Sequence, residues 1–121
     1  MNPLARLTLD DRNGVKVAHI AGEVDIANAS TLESEIAEAV SNIAHGLVVD
    51  LTDTEYFDSA GIRMLFELRK RLSERRQTLQ AVVPSESVII TALLITEVDQ
   101  IVPLHETVEE ALAAMNDRPA E

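Results

Sequence analysis

Residues 47–62 read LVVDLTDTEYFDSAGI, a short apolar run followed by an acidic connector and the start of a helix. The first five residues are almost uniformly apolar, which is typical of a central β-strand that is covered on both faces. From Ala60 to Arg75, apolar residues recur at helical spacing and predict an amphipathic helix. The acidic connector therefore joins a buried strand to a helix, at the end of a sheet where α/β proteins usually place their sites.

Before this stretch, the sequence predicts a β-hairpin. Residues 7–10 and 15–20 alternate in polarity around an Asn-Gly pair at positions 13 and 14, which is a strong signal for a tight hairpin turn. We expect Gly22 to end the second strand.

A helix is predicted next. Ser30 and Glu33 have the spacing of a capping box, in which each side chain bonds to an unpaired amide at the helix start. An apolar stripe then continues to about residue 44. The stripe consists of Leu32, Ile36, Ala39, Val40 and Ile43.

Downstream, residues 79–83 predict a further strand. Residues 86–95 are rich in β-branched side chains and permit a strand, but their position between two strand candidates favours a helix. A short strand is expected near Ile101–Val102. Residues 107–110 resemble a second capping box and predict a last helix that reaches Met115.

Strands that alternate with helices after an antiparallel hairpin predict an α/β fold. We expect a small mixed β-sheet of four to five strands with about four helices packed against it. The length of 121 residues and the hydrophobic share of 46% suit one domain. We assign that domain to residues 1–115 and a polar C-terminal tail to residues 116–121.

The composition argues against several kinds of active site. Cysteine is absent, which excludes disulfides, thiol catalysis and cysteine-based metal sites. The four glycines do not cluster into a phosphate-binding loop. The three histidines are far apart and lack metal-ligand spacing; they are His19, His45 and His105. We therefore expect no metal, no cofactor and no enzymatic activity.

The net charge of −11 disfavours direct binding to nucleic acid or to anionic lipid. No apolar stretch is long enough for membrane insertion, so we expect a cytoplasmic protein. Six of the ten basic residues lie between Arg63 and Arg76. The preferred interpretation is a solvated helix face, and the alternative is one wall of a docking surface for an acidic partner.

The connector combines a carboxylate, a hydroxyl and a glycine at the start of the second helix. Ser59 stands where an N-cap residue is expected, after Asp58. Gly61 in the first turn lowers helix stability, which suggests that something approaches the backbone closely there. A serine in this position is common in ordinary helix caps, so these residues alone fit a structural role as well as a functional one.

Two motifs resemble the STAS domain family, and especially the bacterial anti-anti-sigma factors. Residues 22–25, Gly-Glu-Val-Asp, are similar to the family's turn after the second strand. Residues 50–52 and 57–62 are similar to its more specific Asp-Ser-[Ser/Thr/Ala]-Gly-[Leu/Ile] signature. Residues 83–85 and 107–112 also fit, more weakly. The resemblance spans nearly the whole chain, and it implies a helix at residues 86–95.

The resemblance implies that Ser59 is phosphorylated by an anti-sigma factor that is also a serine kinase. The unphosphorylated protein would bind this anti-sigma factor and release a sigma factor for transcription. A metal-dependent serine phosphatase would reverse the modification. The expected partner-binding residues are Asp25, Asn28, Asp58, Ser59, Ala60, Gly61 and Arg63.

Two departures from the family pattern leave the particular partner open. Ala60 replaces a hydroxyl residue that many members carry, and residues 96–99 lack the glycine that often follows the third helix. An alternative within the same family is a scaffold or regulatory subunit of a stress-sensing complex or a membrane transporter. Such proteins share the fold and need no reversible phosphoserine.

Overall fold

The computed structural model describes residues 4–116. Within this range the chain forms a mixed sheet of six strands with four α-helices. The strands are β1 (Ala5–Arg12), β2 (Val15–Val24), β3 (Gly46–Asp50), β4 (Thr54–Phe57), β5 (Thr78–Val82) and β6 (Leu104–His105). The helices are α1 (Ala29–Ala39), α2 (Ser59–Ser73), α3 (Ile90–Ile95) and α4 (Val108–Asn116). The predicted mixed α/β fold is confirmed, with one strand more than expected.

The extra strand is β4, which continues the sheet where β3 ends. The strand order is β1-β2-β3-β5-β6, and β4 pairs with β2. The long strand β2 is antiparallel to β1 and parallel to β3 from Val15 to His19. Beyond that point β2 pairs in parallel with β4, up to the pair Val24 and Phe57. The chain therefore stays beside β2 through both β3 and β4, and β4 leads directly into α2.

The hairpin between β1 and β2 is confirmed. Asn13 and Gly14 have φ angles of 54° and 81°, which fit the left-handed conformation that tight hairpin turns require. The expectation that Gly22 ends β2 was wrong. Gly22 has φ of 99°, and the register with β4 shifts between Gly22 and Glu23. The strand bends there, as at a β-bulge, and continues to Val24.

Helix α1 differs from the prediction at both ends. It begins at Ala29, so Ser30 lies inside the helix and the predicted capping box is wrong. Asn28 precedes the helix, but its side chain bonds to groups before the helix instead of capping it. The helix ends at Ala39 because Val40 adopts an extended conformation that buries its side chain. Ile43, predicted as part of the buried stripe, is 91% exposed.

The chain after β5 is less helical than predicted. Helix α3 covers only Ile90–Ile95, and a 3-10 turn at Val98–Gln100 follows it. The strand expected near residues 101–102 forms later, as β6. Val102 is nevertheless fully buried, which explains the apolar signal at that position.

The cap of α4 is confirmed in part. The Glu110 amide donates to the Thr107 hydroxyl at 3.1 Å, as in a capping box. The Glu110 carboxylate accepts instead from the Glu106 amide. Of the predicted tail at 116–121, Asn116 is the last residue of α4, and residues 117–121 lie outside the described part of the chain.

The core forms on both faces of the sheet. Helices α1, α2 and α3 pack on one face through residues such as Ile36, Leu68 and Leu93. Helix α4 covers the other face through Ala111 and Leu112, which pack with valines of β2, β3 and β5. As a result, Leu47, Val48 and Val49 of β3 are all fully buried, as the uniformly apolar run predicted. This two-sided packing fixes the strands whose carboxyl ends carry the candidate site.

Candidate functional site

Two loops meet where β2 and β4 end. The strands are parallel and pair at Val24 and Phe57, so Asp25 and Asp58 emerge at the same edge of the sheet. The first loop, residues 25–28, leads into α1, and the second is the direct junction from β4 to α2. The structure thus brings together four of the predicted site residues, which are Asp25, Asn28, Asp58 and Ser59.

Asp58, and not Ser59, is the N-cap of α2. Its backbone is extended, and its Oδ1 accepts a hydrogen bond from the Ala60 amide at 2.9 Å. Its Oδ2 accepts from the Tyr56 hydroxyl at 3.3 Å. Ser59 is the first residue of the helix, and its side chain is exposed. Within residues 4–116 the Ser59 hydroxyl makes no hydrogen bond, so the cap does not depend on it.

Gly61 is required by packing inside the chain. A Cβ atom at this position would lie 2.8–2.9 Å from three carbons of the Phe57 ring. The close approach that the sequence predicted therefore comes from Phe57, which lies under the first turn of α2. Gly61 is buried and Ala60 is half-buried, so both contribute less exposed surface than Ser59 does.

The loop at residues 25–28 is held by its own side chains. The Asn28 Nδ2 donates to the Glu23 carbonyl at 2.8 Å, and its Oδ1 accepts from the Asp25 amide at 3.0 Å. The Asp25 Oδ1 accepts from the Ala27 amide at 2.9 Å. These bonds form a tight turn with Ile26 at its tip, and the Ile26 side chain is 88% exposed.

Ile26 and Tyr56 are two candidate contact residues that the sequence reasoning missed. Tyr56 is about half exposed and lies beside Asp58. In the sequence, Ile26 is the only large apolar residue between the turn-forming residues Asp25 and Asn28, and that placement was the available signal. Exposed aliphatic and aromatic side chains next to polar groups are common at the centres of protein interfaces.

The electrostatic field at this edge is negative. The pKa of the Tyr56 hydroxyl is raised above its usual value of 10.0, mainly by the negative charge of Asp58. Partial desolvation, the hydrogen bond to Asp58 and the charges of Asp25 and Glu23 act in the same direction. Carboxylates from both loops therefore act on the Tyr56 hydroxyl.

Side-chain hydrogen bonds of Asp50 and Thr54 hold the β3–β4 connection in place. Asp50 Oδ2 lies 2.7 Å from His19 Nδ1 across the paired strands β2 and β3. Asp50 Oδ1 accepts from the Thr52 amide at 3.0 Å. The Thr54 hydroxyl, which is buried, donates to the Ile20 carbonyl at 2.8 Å. These bonds set the path of the chain into β4 and thereby position the start of α2.

The basic stretch at residues 63–76 divides into two groups. Arg71 pairs with Glu33 of α1 at 3.2 Å, and the Arg75 guanidinium donates to a main-chain oxygen at the end of α1 at 3.1 Å. Arg63 lies one helical turn after Ser59 and is exposed. It forms no ion pair or hydrogen bond with any residue from 4 to 116. Part of the stretch therefore joins two helices, and part faces solvent.

Between residues 4 and 116, no group of three or more His, Asp or Glu side chains is arranged to hold a metal ion. In the same part of the chain, every helix is too short or too polar to cross a membrane.

The fold and the site define an α/β domain in which an exposed serine opens a helix directly after Asp58, at an edge of the sheet that also carries Asp25. The profile of the STAS domain family matches residues 6–111, and the chain belongs to this family. The chain is similar to the anti-sigma-F factor antagonist RsfB of Mycobacterium tuberculosis, with 30% identity over 109 residues. That alignment covers 90% of this chain and 88% of RsfB.

Several solved structures of anti-sigma factor antagonists share the fold. An anti-sigma factor antagonist from Mycobacterium paratuberculosis superposes with a TM-score of 0.83 at 27% identity, over 93% of this chain and 95% of the other. The anti-sigma factor antagonist SpoIIAA in its unphosphorylated form superposes with a TM-score of 0.74 at 15% identity. It covers 95% of this chain and 100% of SpoIIAA. At that identity, the likeness to SpoIIAA concerns the fold alone.

Proposed function

We propose that this protein is an anti-sigma factor antagonist that is switched by phosphorylation of Ser59. In the unphosphorylated form it binds an anti-sigma factor that is also a serine kinase, and so releases a sigma factor for transcription. The proposal is supported by the similarity to RsfB, which extends over most of both chains. The observation that carries it is the exposed Ser59 hydroxyl at the head of α2, which has no part in the helix cap.

The partner surface in this proposal consists of exposed and half-buried groups around Ser59. Ile26 and Tyr56 supply apolar contact area, and Asp25 and Asp58 supply charge. The partner packs over Ser59, so that its hydroxyl lies within the interface. In such complexes a few well-packed residues near the centre of the interface, often aromatic, carry much of the affinity.

Phosphorylation in this scheme changes the docking surface without unfolding the domain. Asp58 caps α2, so a phosphoryl group on Ser59 leaves the cap intact. The helix dipole also favours negative charge at this end. A bound partner, however, would meet a bulky group of charge about −1.5 to −2. A loss of about 3–4 kcal/mol in binding free energy weakens a complex several-hundred-fold.

The remaining parts of the proposal concern the partners. A metal-dependent serine phosphatase removes the phosphate and restores binding. The role of the chain itself is binding, not catalysis, and it involves neither direct contact with nucleic acid nor insertion into a membrane. We place this cycle in the cytoplasm.

The test combines phosphate mapping with affinity measurements. The purified protein is incubated with ATP and each anti-sigma kinase of the same genome, and phosphate is located by mass spectrometry. Affinities are measured by calorimetry for the unmodified protein, Ser59→Ala, Ser59→Asp and the control Ser34→Asp. Ser34 is exposed on α1, away from the loop at residues 25–28.

We expect phosphate on Ser59 with at least one kinase. Ser59→Asp should then bind about 100-fold more weakly or worse, while Ser34→Asp binds normally. Full affinity of Ser59→Asp would contradict the switch. Absence of label on Ser59 with every kinase tested would favour the scaffold or regulatory subunit instead.

A further inference from the structure

Ser59 and Arg63 occupy the same face of α2. Four residues separate them along the helix, so their Cβ atoms are neighbours at about 5–6 Å on an α-helix. Both side chains are exposed. Ser59 is the first residue of a helix that extends to Ser73, so the pair occupies the first two turns of a continuous helix.

The Arg63 guanidinium is available for a new contact. Arg71 and Arg75 of the same basic stretch are committed to α1 and to the chain that follows it. Arg63 has no such partner among residues 4–116. A guanidinium carries several N–H donors in one plane and matches the oxygens of a phosphoryl group, often with two parallel hydrogen bonds.

The surroundings of Ser59 supply no other nearby cation on this helix. Arg63 is the only charged residue from Ser59 to Phe66. The other charges known to act at this edge are the carboxylates of Asp58, Asp25 and Glu23, which together raise the pKa of Tyr56. A dianion on Ser59 would therefore be repelled by its loop neighbours and attracted by Arg63.

We infer that Arg63 binds the phosphoryl group when Ser59 is phosphorylated, as a positioning residue that holds this group against α2. The inference rests on the proposed function, because it presupposes modification of Ser59. Arg63 then has a different role in each state. In the unphosphorylated protein it is an exposed cation on the docking surface, and in the phosphorylated protein it is paired within the chain.

The test measures the second ionisation of the phosphate directly. Phosphoserine is inserted at position 59 of the full chain during translation, so that no kinase is needed. The phosphorus NMR signal is followed against pH for this protein and for the same protein with Arg63→Gln, Arg63→Lys or Arg69→Gln. Arg69 is exposed on α2 further from Ser59 and serves as the matched control.

A nearby cation favours the dianion and so lowers the second pKa of the phosphate. Arg63→Gln should raise that pKa by about 0.2–0.4, the shift that corresponds to an exposed ion pair one turn apart. Arg63→Lys should restore part of the effect, and Arg69→Gln should leave the pKa within about 0.1. Amide spectra of all variants verify that the fold is retained.

Equal pKa values for the parent and Arg63→Gln would overturn the inference, and so would an equal shift in Arg69→Gln. The result is independent of the antagonist role, because the phosphoserine is installed without the partner kinase. If the kinase labels Ser59 but Arg63→Gln leaves the second pKa of the phosphate unchanged, the proposed function is retained and only the role of Arg63 is rejected.

Discussion

Polar side chains lie at or near both ends of α2, but those after its C-terminal end bond to the end of α1, whereas Asp58 at its N-terminal end bonds to α2 itself. Beyond the C-terminal end, the Gln77 side chain donates to the carbonyls of Ser41 and Ala44 at 2.7 and 3.0 Å. Arg75 donates to the Val40 carbonyl at 3.1 Å. The last carbonyls of a helix and the chain after it lack partners within the helix. Here, the segment that follows α2 supplies donors to the end of α1.

The N-terminal end keeps its contacts local. Asp58 caps its own helix, and Ser59 and Arg63 are left exposed at the surface. One end of α2 thus joins two helices, whereas the other end leaves Ser59 and Arg63 exposed to solvent. Substitutions at the two ends should therefore separate stability from binding.

The largest effect on stability is expected at Gly61, because the N-terminal end has one tightly packed contact beneath its exposed surface. In Gly61→Val the new side chain would collide with the Phe57 ring. Overpacking of this kind costs about 1–3 kcal/mol of unfolding free energy. Urea unfolding measures the change, and Lys70→Val on the exposed face of α2 is the control. Similar stability of both variants would show that Phe57 can move aside.

The structural role of the C-terminal end is tested by Arg75→Gln. This change removes the bond to the Val40 carbonyl and the contact with Asn42 at 3.3 Å. We expect a loss of about 1.5–2 kcal/mol in unfolding free energy, the lower end of the range for hydrogen bonds to charged groups, because Arg75 is only partly buried. Arg69→Gln removes the same charge from an exposed position and should change stability by at most about 0.5 kcal/mol. Equal effects would mean that Arg75 acts through its charge alone.

Two single substitutions distinguish the residue that caps α2 from the residue that we propose is phosphorylated. Asp58→Ala removes the N-cap bond to Ala60 and should cost about 1 kcal/mol of unfolding free energy. Ser59→Ala removes an exposed hydroxyl without a cap role, so its stability should match the parent within about 0.5 kcal/mol. Thermal unfolding of both variants decides the point. A larger loss in Ser59→Ala would restore serine as the capping residue.

The smallest expected effect is a change in the pKa of Tyr56, which depends on how close the carboxylates of Asp58 and Asp25 lie to its hydroxyl. Tyr56 is the only tyrosine in the chain, so its ionisation can be followed by ultraviolet absorbance. Its pKa should lie above 10.0, fall most in Asp58→Asn and fall less in Asp25→Asn. No change in Asp25→Asn would place the loop at residues 25–28 further from Tyr56.

The same shift sets the sign of a pH effect on stability. The folded-state pKa of Tyr56 is raised, so the fold favours the neutral phenol. Any stabilisation from this group is complete below the unfolded-state pKa, near 10. It is lost as the pH rises through the higher folded-state pKa.

The elements with strong periodicity were predictable from the sequence. The apolar run of β3, the hairpin at Asn13 and Gly14 and the stripe of α2 all follow from local patterns. Strand β4 was missed because two of its four side chains are exposed and its pairing partner, the far half of β2, is distant in sequence. The early end of α1 was missed because the burial of Val40 is a tertiary effect.

The candidate site was likewise predictable only in part from the sequence. The motif at residues 58–62 predicted the start of α2, but Asp58 and Ser59 are both good capping residues, and only the backbone angles select between them. Gly61 was correctly singled out, although the group that approaches it is the Phe57 ring of the same chain. Ile26 was not predicted, because its exposure follows from the bonds that Asn28 makes across the turn.

The sequence by itself determined the α/β class, the hairpin, the central strand and the position of the candidate serine at the head of α2, because these depend on local periodicity and on short motifs. Only the tertiary structure decided which residue caps α2, where α1 ends and which side chains surround Ser59. Each of those outcomes depends on contacts between segments far apart in the chain. The pairing of β2 with β4 is one such contact, and it brings Asp25 and Asp58 to the same edge.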